Sequence, residues 1–140
     1  MKLTIELVPQ SAFFKNVRSE VSKEQWDIIR REAYKKAGYK CQICGGVGEK
    51  HPVECHEIWE YKDGVQKLIG FIAICPACHQ VKHIGLSRMR GLEEDCMKHL
   101  VKINNINEAQ AYTYIENSFA IWDERNKQDW KLDISLLEEV

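Results

Sequence analysis

Cys41-Gln42-Ile43-Cys44 and Cys75-Pro76-Ala77-Cys78 are two Cys-x-x-Cys pairs about thirty residues apart. Each such pair forms a tight turn that aims both sulfurs at one point, so the two together can surround one zinc ion tetrahedrally. The second pair runs on into His79 and His83, whose i, i+4 spacing puts both imidazoles on one face of a helix beginning near Pro76. Between the pairs lies Glu54-Cys55-His56-Glu57. A closed zinc site with a second, open metal site beside it is the chemistry these residue types suggest. The closed site holds the fold and performs no reaction. A thiol redox role is disfavoured, because each pair has a partner at zinc spacing and lacks the βαβ context of a thioredoxin-like motif.

The elements that must position these groups are legible around them. Val53 to Tyr61 reads as a strand, Lys62-Asp63-Gly64 as a hairpin turn and Val65 to Ile74 as the returning strand. Gly45 and Gly46 suit the bent backbone of a knuckle. Pro76 fits the first turn of a helix carrying Cys78, His79 and His83, which Gly85 can end. Ahead of the knuckle a helix is expected over about 23–37, with Ser22 and Gln25 as a capping box, Gly38 as its C′ residue, and Trp26, Ile29, Ala33 and Ala37 on one face.

Beyond the site, Leu92, Cys96, Leu100 and Ile103 form an apolar helical stripe, which makes Cys96 a core residue. Asn107 and Gln110 cap a further helix whose inner face is Ala111, Ile115, Phe119 and Trp122. That stripe reads as core, not as a base-stacking platform. Leu3 to Val8 alternates as a short strand stopped by Pro9, residues 9–21 read as irregular and pinned by Phe13 and Phe14, and Trp130 to Ile134 reads as a strand able to pair with the first. His51 and His99 read as ordinary, in a loop and on a helix flank.

With 140 residues and 44% hydrophobic side chains, the chain suits one domain, 1–140, with a single core. No apolar run approaches the roughly 20 residues of a membrane span and no signal peptide is evident, so a cytoplasmic protein with no membrane partner is expected. In a reducing compartment six cysteines favour zinc ligands and core residues over disulfides. The net charge of −1 gives no global attraction to nucleic acid. DNA contact would have to come from local patches: Arg30, Arg31, Lys35, Lys36 and Lys40 before the first pair, or Lys82, Arg88 and Arg90 after the last histidine. Each patch reads equally well as a solvated helix face. Nothing in the sequence specifies the oligomeric state.

A Cys-x-x-Cys, a hairpin carrying His56, then Cys-x-x-Cys-His with a further histidine four residues on resembles the HNH endonucleases and their ββα-metal fold, over about residues 41–84. The flanks also look like those of small phage and bacterial proteins labelled HNH endonucleases. The resemblance implies an α+β fold with a ββα-metal, treble-clef-like core, flanking helices and short terminal strands. It also implies DNA as partner and a structural zinc on Cys41, Cys44, Cys75 and Cys78. His56 takes the role of general base, and a catalytic divalent ion (Mg2+, Mn2+, Ni2+ or Zn2+) falls to His79 and His83. Two positions depart from the family pattern. Gly70 stands where the central Asn is usual, five residues before the third cysteine. Cys55 stands where Asp or His completes the metal site, and it enters as a possible ligand of the second ion, Glu54 or Glu57 being the other candidates. Glu57 is also a candidate partner for His56. Two functions are therefore expected in competition: a metal-dependent endonuclease, and a catalytically inactive zinc module that binds DNA or a partner protein.

Overall fold

The computed structural model describes residues 1–12 and 15–139, so the reading of Phe13 and Phe14 lies outside the described residues. The fold is α+β. A helix α1 (Val17–Glu20) and a helix α2 (Lys23–Lys36) precede a hairpin of β1 (Glu54–Lys62) and β2 (Val65–Ile74). Four helices follow, α3 (Pro76–Lys82), α4 (Ile84–Met89), α5 (Glu93–Asn104) and α6 (Glu108–Arg125), then a short strand β3 (Lys131–Asp133).

Local signals account for most of these boundaries. Ser22 and Gln25 exchange hydrogen bonds as a capping box, and Gly38 leaves α2 at φ +63°. Asn107 and Gln110 cap α6 in the same way. Asp63 and Gly64, at φ +50° and +76°, make the two-residue hairpin turn whose twist matches that of the strands. Asn16 and Ser19 form a third capping box, which starts α1 inside the stretch expected to be irregular. Gly85 does not end the helix after Pro76. The backbone breaks two residues earlier, at His83, and Gly85 lies inside α4.

The sheet order is β1-β2-β3. The hairpin is antiparallel, with Cys55 opposite Ala73, His56 opposite Ile72 and Glu57 opposite Phe71, and the register shifts between Ile58 and Trp59. The carboxy-terminal strand pairs with β2, parallel, and not with the amino-terminal segment. Residues 3–8 form no strand. Their alternation is real, since Leu3 and Ile5 are buried, but they dock on helices. Asn104 bonds both the N–H and the carbonyl of Leu3, the Tyr114 hydroxyl accepts from the Ile5 N–H, and the Trp122 indole donates to the Val8 carbonyl. Side chains thus satisfy backbone groups that a neighbouring strand would otherwise pair.

The hairpin separates two layers. On one face Trp26 of α2 meets Phe71 edge-on, with ring centroids 6.4 Å apart. On the other, α3 packs beside His56, and the core of Leu3, Ile74, Val81, Ile84, Leu100 and Ile115 continues into α5 and α6. Cys96 is buried in that core, and all six cysteines are free thiols. No helix among the described residues is long and apolar enough to cross a membrane.

Candidate metal centres

Cys75 is both a ligand candidate and the N-cap of α3. Its sulfur accepts from the Cys78 N–H at 3.5 Å, and Pro76 opens the first turn, where no N–H is needed. The first pair repeats the device: Cys41 Sγ accepts from the Cys44 N–H and Cys44 Sγ from the Gly46 N–H, both at 3.4 Å. Gln42 fastens this knuckle to β2, donating its N–H to the Ala73 carbonyl and accepting from the Ala73 N–H. Gly48 lets the following loop lie against α3, for a Cβ there would stand 2.3 Å from the His51 carbonyl and 2.7 Å from Pro76 Cδ.

The result is a four-sulfur cluster of Cys41, Cys44, Cys75 and Cys78 with all donors within 4.8 Å of one another. Cys44 and Cys75 Sγ are 3.6 Å apart. A tetrahedron with sulfurs about 2.3 Å from a central zinc has edges of about 3.8 Å, so the cluster is of a size to hold a metal ion such as zinc. Its electrostatics agree. Burial opposes ionisation of Cys41, but backbone N–H donors outweigh it and pull the thiol down to about 7. Burial and the neighbouring thiolates push Cys78 far up, and burial raises Cys75 as well. Ionising all four thiols at such close range would call for a cation among them.

A second cluster joins His56 of β1, His79 of α3 and His83 at the α3–α4 break. His79 and His83 present Nε2 atoms 3.0 Å apart, and the His56 ring centroid lies 5.3 and 5.4 Å from theirs. Burial and the two neighbouring imidazoles press the pKa of His56 down to about 3. Desolvation by the packing around it and then His79 press that of His83 down to about 4, although its side chain still reaches the surface. Neutral imidazoles keep one nitrogen lone pair each, which can accept a cation or a proton.

Cys55 and Glu57, also offered for the second site, fall elsewhere, whereas Glu54, the remaining candidate, contacts His79. Cys55 is not part of the histidine cluster. Side chains alternate along β1, so Cys55 and Glu57 face the α2 side while His56 faces α3. Burial, then Glu57, pushes the Cys55 thiol up to about 12. Glu57 accepts from the Val17 N–H, so it does not partner His56. Lys82 is 7% exposed and donates to Glu6 and Thr4, and Arg88 is paired with Glu93 and Glu116 and lies over the Phe119 ring. Of the patch expected after the last histidine, only Arg90 remains unengaged among the described residues. Arg31, Lys35, Lys36 and Lys40 are exposed, but α2 covers the sheet face opposite His56.

Two histidines expected to be ordinary touch the clusters. His99 of α5 sets Nε2 3.1 Å from Cys78 Sγ, and His51 pairs with Glu54, which in turn contacts His79. Spacing offered no signal for His99, which is 21 residues from its sulfur. Glu54, named from the sequence together with Glu57, is the one of the two that strand alternation places on the His56 face.

No protein-family model, no curated protein and no solved structure matches the chain.

Proposed function

We propose that the chain is a metal-dependent endonuclease of the HNH type, in which β1, β2 and α3 form a ββα-metal unit. Zinc on Cys41, Cys44, Cys75 and Cys78 holds that unit together, and a second divalent ion binds at His79 and His83. The observation that carries this reading is the convergence of His56, His79 and His83 on one side of the hairpin, next to the four-cysteine cluster.

Phosphodiester hydrolysis joins a water oxygen to phosphorus and breaks a phosphorus–oxygen ester bond, so the water must lose a proton while negative charge grows on the phosphate. A divalent ion in the site would supply the compensating charge. Three imidazoles favour a borderline ion such as Zn2+, Ni2+ or Co2+ over Mg2+. His56, neutral at pH 7, offers its free nitrogen in one of two roles, proton acceptor or third ligand. Its depressed pKa weakens it as a base and suits it as a ligand.

One pair of measurements tests both levels. Supercoiled plasmid is expected to be nicked in the presence of a divalent ion, and H56A to lose that activity. Absence of cleavage with every ion, or cleavage indifferent to H56A, removes the nuclease reading. If H56A keeps its affinity for the second ion, the residue is the base; if it loses that affinity, it is a ligand.

A second reading, a non-catalytic zinc module, is favoured by the internal pairing of Lys82 and Arg88, which leaves little free positive charge beside the histidines. It predicts one metal ion per chain and no second site in titration.

A further inference from the structure

Glu54 opens β1 on the same face as His56, and its two oxygens have separate partners: Oε1 lies 3.1 Å from Nδ1 of His79, and Oε2 lies 3.2 Å from Nε2 of His51. A carboxylate oxygen only accepts, so the His79 ring, which has hydrogen-bond geometry, must turn its N–H toward it, whereas His51 makes a close contact with the second oxygen. For His79 this puts the hydrogen on Nδ1 and leaves the lone pair on Nε2, the atom 3.0 Å from Nε2 of His83. A neutral imidazole without such a partner is free to carry its hydrogen on either nitrogen, and with the hydrogen on Nε2 that atom cannot take a cation.

We propose that Glu54 is a positioning residue for the cation site, selecting the tautomer and fixing the ring plane of His79, and that the close contact of His51 with the second carboxylate oxygen limits how far Glu54 turns. The inference rests on the reading of His79 and His83 as a divalent-ion site. It extends the site from the hairpin and α3 to the loop before β1, which supplies no ligand. His51 is the more dispensable of the two, since its side chain is 52% exposed and water can replace it, whereas Glu54 is 35% exposed and His79 23%.

The zinc-loaded 140-residue chain provides two readouts. Long-range 1H–15N correlation spectra at pH 7.5 should show His79 as the Nδ1–H tautomer in the wild type and a shift toward Nε2–H in E54A. Titration with Co2+, followed by its visible absorption, should show E54A binding the second ion about 10–100-fold more weakly. E54Q, whose amide oxygen can still accept, should recover part of that loss, and H51A should lose only about threefold. Zinc content should be unchanged in all three. Where E54A does not fold, E54Q decides the matter through its reduced Co2+ affinity. An Nε2–H tautomer at His79 in the wild type overturns the proposal. So does wild-type Co2+ affinity in folded Glu54 variants, while leaving the cation site standing. Failure of the wild type to bind any second ion overturns the cation site and the proposal together.

Discussion

His99 places its Nε2 3.1 Å from the Sγ of Cys78, joining α5, which carries no candidate ligand, to the most deeply buried sulfur of the four. With a metal ion in the cluster, Cys78 would be a thiolate that can only accept, so the imidazole N–H would donate to it and steady its charge. H99F keeps much of the volume and removes the donor. The first ion should then be held about 10–100-fold less tightly, as measured by competition with a chromogenic chelator. Unchanged retention would make the contact mere packing.

Cys75 unites capping and ligation, so its loss should be felt across the hairpin and α3. C75S, or stripping of the ion with a chelator, is expected to abolish cooperative thermal unfolding, because the free energy of structural zinc binding, on the order of 10 kcal/mol, is folding free energy. H79A and H83A should keep a cooperative transition within about 1 kcal/mol of the wild type. Far-UV circular dichroism through the melt distinguishes the two classes.

Lys82 and Glu6 should respond unequally to substitution. Lys82 is 7% exposed and lies 2.9 Å from a Glu6 carboxylate whose own side chain is 49% exposed. E6A strands a buried ammonium with only Thr4 as partner, and should cost about 2–3 kcal/mol in urea denaturation. K82M keeps the buried stem and leaves a carboxylate that water can solvate, so it should cost under about 1 kcal/mol. Equal costs would show that the buried charge is not the controlling feature.

Acid should weaken the protein through His56. Its pKa is about 3 in the folded state against 6.5 for an unperturbed histidine, so below pH 6.5 the unfolded chain binds the proton first. The stabilisation is complete above about pH 6.5 and is lost as pH falls toward 3, at no more than about 1.4 kcal/mol per pH unit for one group. Without a second ion, the urea midpoint of the wild type should fall between pH 7 and 5 more than that of H56Q. Both proteins share the four-cysteine cluster, so its own acid lability cancels in the comparison. Parallel pH profiles would contradict the burial of a neutral His56.

The capping boxes at Ser22 and Asn107, the Asp63-Gly64 turn, the hairpin and the knuckle-forming cysteine pairs were legible because each is written within a few residues of itself. The gathering of the four cysteines followed from spacing, since a pair of turns with sulfurs facing inward has few other uses. Cys55 lies outside the histidine cluster because strand alternation turns it to the face of β1 opposite His56.

Sequence by itself therefore determined the local elements, the α+β class and the two sets of chemically able residues. Tertiary structure decided what lies across from them: helices rather than a strand against residues 3–8, Glu6 against Lys82, Glu54 and His51 behind His79, and His99 behind Cys78. The division has a physical cause. Backbone geometry and capping are settled over one or two turns of chain, whereas the partner of a buried polar group is settled by which distant surfaces the whole core brings together.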